Sequence, residues 1–216
     1  MKRNKITSCV CGAIAVLILL TTSGCSNIVE GTKSLTTEIN NAVSFPEEYF
    51  ITYEVEHGDG TVSTVAKGVD AEGIIYYRSG NLEVLYVPAE ALYDRYERDE
   101  SGVFTKSSYG ISYTASRVEQ ETKEFTDYAD KSLDRYLPTV KENGEDDFLS
   151  RTCDSCEITV GIESFNKTYT FLVDKETGIC LSWEESNTLY GNVNTDEVAF
   201  RCLEFQTDNI ELPQPN

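Results

Sequence analysis

The stretch that decides the fold is Tyr169-Thr-Phe-Leu-Val-Asp-Lys-Glu-Thr-Gly-Ile-Cys-Leu-Ser-Trp183. Apolar residues alternate with others along both arms, which is the period of a β-strand. In the middle, Asp174 can bond the backbone ahead of it and Gly178 can adopt the positive φ that closes a short loop. The stretch predicts an antiparallel hairpin in which Phe171 lies near Leu181 and one face is apolar. That face consists of Tyr169, Phe171, Val173, Ile179, Leu181 and Trp183.

The residues on either side extend this hairpin into a meander. From Tyr49 onward short apolar-alternating runs are separated by Gly, Asp and Asn, a pattern typical of successive antiparallel strands. Strands are predicted to begin at Tyr49, to span 61–69, 74–78, 82–87, 91–98 and 103–107, and to resume at 148–165 and 198–206 after an acidic loop at 142–147. Two central runs are apolar at successive positions, which predicts that part of the sheet is covered on both faces.

One segment has the period of a helix. Between Ser116 and Leu137 the apolar residues fall on a single stripe, and Pro138 ends the pattern. The stripe consists of Val118, Phe125, Ala129, Leu133, Tyr136 and Leu137. An amphipathic helix needs an apolar surface to pack on, and the sheet offers one. The predicted fold is α+β and mainly β: a curved antiparallel sheet, half-barrel-like, with an amphipathic helix packed on its concave face.

The first 24 residues have the composition of an export signal. Three basic residues precede an apolar run at 9–20, which is shorter than the roughly 20 residues of a membrane-spanning helix. Ser23-Gly24-Cys25 resembles the lipobox of bacterial lipoproteins, which implies cleavage between Gly24 and Cys25 and acylation of Cys25 with palmitate-like chains. Two such chains suffice for stable anchoring.

These features divide the chain into three parts. Residues 1–24 are predicted to be a lipoprotein signal peptide, 25–46 a lipidated tether with a short helix, and 47–216 a single β domain. The predicted location is the extracytoplasmic face of the cell membrane, held by the lipid anchor on Cys25. The chain carries 18 Lys and Arg against 37 Asp and Glu, a net charge of −19. Such a surface repels nucleic acid, so no nucleic-acid partner is predicted.

Four cysteines lie in the predicted domain: Cys153, Cys156, Cys180 and Cys202. An even number in an exported chain predicts two disulfides, with three connectivities open. If the strands that hold Cys180 and Cys202 pair about Gly191, these two lie opposite each other and Cys153–Cys156 is the second bridge. The Cys-x-x-Cys spacing also occurs in redox sites, but there it opens a helix, whereas strand-forming residues follow it here. A four-cysteine zinc site ranks below disulfides because export favours oxidation.

No pattern in the chain predicts catalysis. His57 is the only histidine, it lies in a Gly-rich turn, and no Gly-x-Ser-x-Gly nucleophile elbow accompanies it. The acidic loop lacks the order of a calcium loop, and the glycines form no phosphate-binding fingerprint. We therefore predict a protein that is not an enzyme and has no metal or cofactor. A cleft with carboxylates converging around His57 would favour an enzyme instead.

The order of the elements, the hairpin and the closing stretch Glu204-Phe-Gln-Thr-Asp-Asn-Ile-Glu-Leu-Pro213 resemble the LolA/LolB-like superfamily over residues 47–213. This group includes periplasmic lipoprotein carriers and lipid-carrying lipoproteins, in which a curved sheet wraps helices and encloses acyl chains. The resemblance implies a similar cavity between helix and sheet. Its lining candidates are Phe125, Leu133, Phe171, Leu181 and Trp183.

Two functional hypotheses follow. In the first, the anchored lipoprotein binds an apolar ligand, such as lipid or lipoprotein acyl chains, in that cavity. In the second, it is an anchored interaction module for another protein of the cell envelope, for example one related to germination, and holds no ligand. A filled interior favours the second hypothesis, because a tightly packed core has no room for a ligand.

Overall fold

The computed structural model describes residues 43–108, 111, 113–131, 139–162, 165–189, 192–194 and 199–215. Within these ranges, twelve strands form one antiparallel sheet, in the order β6-β5-β4-β3-β2-β1-β12-β10-β9-β8-β7, with β11 paired to β10. The strands are β1 (Tyr49–Glu56), β2 (Val62–Val69), β3 (Ile75–Ser79), β4 (Leu82–Ala89), β5 (Leu92–Arg98), β6 (Phe104–Lys106), β7 (Thr139–Phe148), β8 (Arg151–Ile162), β9 (Phe165–Asp174), β10 (Cys180–Leu189), β11 (Asn192–Asn194) and β12 (Ala199–Gln206). The helices are α1 (Ala115–Glu121) and α2 (Lys123–Ala129). The sheet is curved and unclosed with the helices on its concave face, and the predicted fold class is confirmed.

The hairpin of β9 and β10 turns where the sequence predicts. The Asp174 carboxylate accepts bonds from the backbone N–H and the hydroxyl of Thr177, at 2.9 and 2.6 Å, and Gly178 has a φ of +71°. The register differs from the prediction, because a bulge between Cys180 and Ser182 shifts the ladder and sets Phe171 opposite Trp183. All six residues of the predicted apolar face are nevertheless buried.

The acidic segment at 142–147 is part of a strand, and the predicted loop is wrong. Strand β7 pairs with β8 along its length, and Leu149 and Ser150 join the two strands with φ values of +52° and +62°. Acidic residues are poor strand formers, so local composition favours a loop. At the outermost position of the described sheet, however, charged side chains remain in water and discourage pairing with other chains.

The predicted long helix is two short ones within the described residues. Thr114 caps α1 by accepting a bond from the backbone N–H of Arg117 at 3.4 Å. The helix breaks at the buried Thr122, whose hydroxyl donates to the Glu119 carbonyl at 3.5 Å, a local bond that competes with the helical ladder. The remainder of the predicted helix, 132–137, lies outside the described residues. Neither described helix is long and apolar enough to cross a bilayer.

The helices cover the concave face through a layer of aromatic side chains. Phe125 of α2 is completely buried, and its ring centroid lies 6.1 Å from that of Phe45, 6.4 Å from that of Tyr49 and 5.6 Å from that of Tyr53. Offset and tilted contacts at such distances add to the free energy gained from burial alone. Phe125 is thus the larger of the two side chains that α2 buries, the other being Ala129.

The other face of the sheet is covered by the C-terminal tail over β2 to β4. Ile210 and Leu212 are buried there in a second apolar cluster, together with Tyr76 and Leu85. The next residues along the same strands, Tyr77 of β3 and Tyr86 of β4, belong to the helix-side core. The prediction that this part of the sheet is covered on both faces is confirmed.

The C-terminal tail packs so closely over Gly68 that no side chain fits there. A β-carbon at this position would lie 2.8 Å from Cδ2 of Leu212 and 2.7 Å from Cδ2 of Phe50, well inside van der Waals contact. We expect Gly68→Ala to lower the free energy of unfolding by about 1–3 kcal/mol, the range for an overpacked core. Chemical denaturation measures this change. In a Leu212→Ala background the penalty should shrink, because one of the two clashes is gone; an equal penalty in both backgrounds would contradict the contact.

Candidate functional site

The predicted helix-side cavity is filled in the described part of the chain. Phe125 and Leu181 have no exposed surface, and the ring of Trp183 packs against those of Tyr169 and Phe171 at 5.0 and 5.3 Å. A gap beside Phe171 measures only about 10 Å³, enough for a single water molecule. Leu133, the remaining lining candidate, lies outside the described residues. The side chains expected to line a cavity form a packed core instead.

A groove of about 780 Å³ lies elsewhere, over the outward residues of β1, β12, β10, β9 and β8. Phe171, Trp183 and Phe200 belong to the helix-side core, so the residues between and beside them point to the opposite face. The outward residues that border the groove are Glu54, Glu56, Ala199, Arg201, Ser182, Glu184, Thr170, Leu172 and Ser155. Phe171, Trp183 and Phe200 also border it, in addition to their places in the core, and Leu172 packs against that core.

The ladders align these residues across the strands. Arg201 of β12 stands opposite Glu54 of β1 on one side and Ser182 of β10 on the other. Ser182 in turn pairs with Leu172 of β9, which pairs with Ser155 of β8. The floor of the groove is therefore a row of charged, hydroxyl and apolar side chains perpendicular to the strands.

Phe148 closes one side of the groove. Its ring lies 5.3 Å from the guanidinium carbon of Arg201, although β8, β9 and β10 separate its strand from β12 in the sheet order. A flat sheet would hold these side chains more than about 15 Å apart, since neighbouring strands are spaced by about 4.8 Å. The strands from β7 to β10 are therefore bent strongly enough to bring Phe148 to Arg201 at the border of the groove.

Most charged side chains that border the groove form no ion pair within the described residues. Arg201 contacts the Phe148 ring but has no carboxylate partner there, and Glu54, Glu56 and Glu184 form no ion pair there either. By contrast, Glu185 beside them pairs with Lys167 at 2.5 Å. Free charges beside apolar side chains such as Phe148 and Leu172 leave directional contacts open to a bound molecule.

The rim adds exposed apolar surface. Val62, at the start of β2, borders the groove and is 61% exposed. Val62 is therefore an apolar contact that a bound molecule could cover at the border of the groove.

His57 borders the same groove. Its Nε2 lies 2.8 Å from the hydroxyl oxygen of Ser63 across the β1–β2 hairpin. The nearby Asp59 carboxylate instead accepts bonds from the backbone N–H and hydroxyl of Thr61, at 2.9 and 2.6 Å, and these bonds lower the pKa of Asp59. Within the described residues no carboxylate orients the imidazole, as a nucleophilic triad requires. No group of three or more His, Cys, Asp or Glu residues in these ranges is arranged to hold a metal.

The four candidate cysteines are buried thiols, and neither predicted bridge is present. Cys153 and Cys156 lie three residues apart in the continuous strand β8, so their α-carbons are about 10 Å apart, beyond the roughly 7 Å limit of a disulfide. The β10–β12 ladder pairs Ser182 with Arg201 and Trp183 with Phe200, one residue away from the predicted register about Gly191, so Cys180 and Cys202 do not stand opposite each other. Cys180 pairs instead with Val173 of β9, and Cys202 with Tyr53 of β1. Burial raises the pKa of Cys153 to about 11 and that of Cys202 to about 12.

The thiol state has a direct test. We expect the intact mass of the mature protein to be the same before and after reduction, and native alkylation to leave the four cysteines unmodified because they are buried. Denaturation should then allow all four to react. A mass that rises by four hydrogens on reduction would show two disulfides and contradict the thiol structure. The lipidation and cleavage candidates, Gly24 and Cys25, lie outside the described residues.

Comparison with known proteins gives structural neighbours only. No family model and no curated protein sequence matches the chain. MucB matches 84% of this chain with 16% identity and a TM-score of 0.45, and the chain spans 61% of the length of MucB. A DUF1329 family protein from Desulfovibrio piger matches with 11% identity, 84% and 93% coverage of the two chains and a TM-score of 0.28. A LolA superfamily protein from Nitrosomonas europaea matches with 7% identity, 83% and 94% coverage and a TM-score of 0.26. The superfamily that the sequence resembles is thus among the neighbours, and similarities of this size say nothing of function.

Proposed function

We propose that this protein is an anchored, non-enzymatic interaction module of the cell envelope, which binds an extended segment of a partner protein in the groove. The anchor is the acylated Cys25, and the domain lies on the extracytoplasmic face of the membrane. The observation that carries the proposal is the contrast between the two faces of the sheet. The helix side is filled by aromatic residues, whereas the opposite side has a groove of about 780 Å³.

The chemistry of the groove favours a peptide over an acyl chain. An acyl chain has no hydrogen-bonding groups and gains most from an enclosed apolar cavity. Here the floor carries the charged side chains of Arg201, Glu54 and Glu184 among hydroxyl groups. A bound acyl chain would remove these groups from water without offering them hydrogen bonds in return. An extended peptide offers backbone donors and acceptors along its length, together with side chains for Phe148 and Leu172.

The histidine beside the groove supports a binding role. His57 contacts Ser63, and the Asp59 carboxylate two residues away is engaged by Thr61. Glu54, Glu56 and Glu184 border the same groove, but within the described residues none of them forms a hydrogen bond with the imidazole. A serine without an oriented base is a weak nucleophile. The proposal therefore assigns these side chains to the wall of a binding groove.

Native mass spectrometry of the mature protein, followed by organic extraction, separates the two functional hypotheses. We expect the protein to carry only its covalent anchor, with no further lipid at a defined stoichiometry. It should also fail to take up an apolar fluorescent probe. A lipid bound at near-unit stoichiometry would support the carrier hypothesis and contradict the interaction module.

The anchor is tested separately. We expect Cys25→Ala to leave the chain uncleaved or unanchored, because the lipid is attached to this thiol. Fractionation and mass analysis of the variant measure both effects. A Cys25→Ala protein that still carries a lipid would contradict the lipobox assignment.

A further inference from the structure

A lysine ammonium lies among three aromatic rings at the end of α2. The Nζ of Lys131 is 5.6 Å from the ring centroid of Tyr128, 5.2 Å from that of Trp183 and 5.4 Å from that of Phe200. Each distance falls within the roughly 6 Å at which a cation interacts with the face of an aromatic ring. We call Tyr128, Trp183 and Phe200 the aromatic cage.

The cage is built independently of Lys131. Trp183 and Phe200 are paired neighbours in the ladder between β10 and β12, and both are buried. Tyr128 comes from α2, and its ring packs against that of Phe200 at 5.1 Å. Docking of α2 through Phe125 therefore fixes the third wall, and the cage persists without the lysine side chain.

Lysine is a poor occupant for such a cage. No carboxylate forms an ion pair with Lys131 within the described residues, and its ammonium group is strongly hydrated in water. Burial lowers its pKa, against the opposing effects of Cys180, Asp127 and Glu185. A quaternary ammonium group is hydrated more weakly, so it loses less on entering the cage and gains the same ring contacts.

We propose that the aromatic cage is a binding site for a quaternary ammonium group, such as that of choline, and that Lys131 fills it in the unliganded protein. The ligand displaces the Lys131 side chain into water. The same headgroup occurs on free choline compounds and on phosphatidylcholine, and the cage recognises the chemistry that they share. Trp183 and Phe200 also border the groove, so the cage and the groove share two side chains, but choline binding at the cage does not require a partner segment in the groove.

The single tryptophan of the chain belongs to the cage and reports on it directly. The mature acylated protein in a non-ionic detergent is titrated with choline while Trp183 fluorescence is recorded. We expect a saturable change for the wild type, and binding about tenfold tighter or more for Lys131→Ala, in which the competing cation is absent. Lys123→Ala is the matched control, since Lys123 is the first residue of α2, has a side chain that is 65% exposed and pairs with Asp127 away from the cage.

Two further arms make the test decisive. The uncharged isostere 3,3-dimethyl-1-butanol should give no saturable change; an equal response would show an apolar gap only and overturn the proposal. Phosphatidylcholine vesicles, with phosphatidylglycerol vesicles as the control, show whether a lipid headgroup reaches the cage or only the free compound does. No response of the wild type to choline, or equal affinities for Lys131→Ala and Lys123→Ala, would also overturn it.

Discussion

Phe125→Ala is expected to lower the free energy of unfolding by about 3–5 kcal/mol, the range for deleting a fully buried phenylalanine side chain. The ring has no exposed surface and contacts Phe45, Tyr49 and Tyr53. Its loss removes the main contact of α2 with the sheet and leaves a cavity that the rigid strands beneath cannot fill. Chemical denaturation, with the midpoint and the slope compared to the wild type, measures the effect.

Leu203→Ala serves as the control, because Leu203 is 48% exposed and its truncation should change stability by less than about 0.5 kcal/mol. A Phe125→Ala protein as stable as this control would show that the helix is not docked as described. Loss of the Trp183 response to choline in Phe125→Ala would further indicate that docking of α2 completes the aromatic cage.

Asp174→Asn is expected to cost about 3–5 kcal/mol, as for the removal of one partner from a buried ion pair. Asp174 is 1% exposed, and its two carboxylate oxygens accept bonds from Nε and Nη2 of Arg151 at 2.7 and 3.0 Å. One of them also accepts both bonds from Thr177 that form the turn. The substitution keeps the shape but removes the charge, so Arg151 and the turn lose their common partner.

Glu176→Gln is the matched control for this substitution. Glu176 contacts the same Arg151 at 2.7 Å, but its side chain is 81% exposed, so its loss should cost no more than about 1 kcal/mol. Equal costs for the two variants would contradict the central role of Asp174 in the hairpin.

The same carboxylate gives a pH dependence with a defined sign. Burial raises the pKa of Asp174, but the bonds from Arg151 and Thr177 outweigh it, and the pKa lies below its ordinary value of 3.8. A group whose pKa is lower in the folded state stabilises the fold above its unfolded pKa and loses this contribution as the pH falls through its folded pKa. We expect the wild type to lose more stability than Asp174→Asn on acidification below about pH 4, measured by denaturation at successive pH values.

Much of the sheet follows from local residue patterns. The strands between Tyr49 and Lys106 were predictable because alternation and turn chemistry act within a few residues. Strand β7 was not predictable in this way, because its pairing with β8 overrides the low strand propensity of its acidic residues. The alternation of apolar and polar residues does not predict the bulges at Leu181 and Leu203 either. These bulges change which cysteines and aromatic residues stand opposite each other.

The groove and the cage depend on contacts between residues far apart in the chain. Phe148 meets Arg201 only because the sheet bends across three intervening strands, and Lys131 meets Trp183 only after α2 has docked. No spacing in the sequence encodes such contacts. The sequence resemblance predicts that Phe125, Phe171 and Trp183 line a cavity. In the structure these side chains belong to the packed core between the helices and the sheet.

Site-specific photo-crosslinking in the native cell envelope tests most directly the proposal that the groove binds a partner protein. A photoreactive phenylalanine replaces Thr170, which is exposed in the groove, or Thr105, which is exposed on β6 outside it. We predict a discrete protein adduct from position 170, none from position 105, and loss of the adduct when Arg201→Glu is introduced into the same chain. The same adducts from both positions, an adduct that persists in Arg201→Glu, or a cross-link to lipid alone would contradict it.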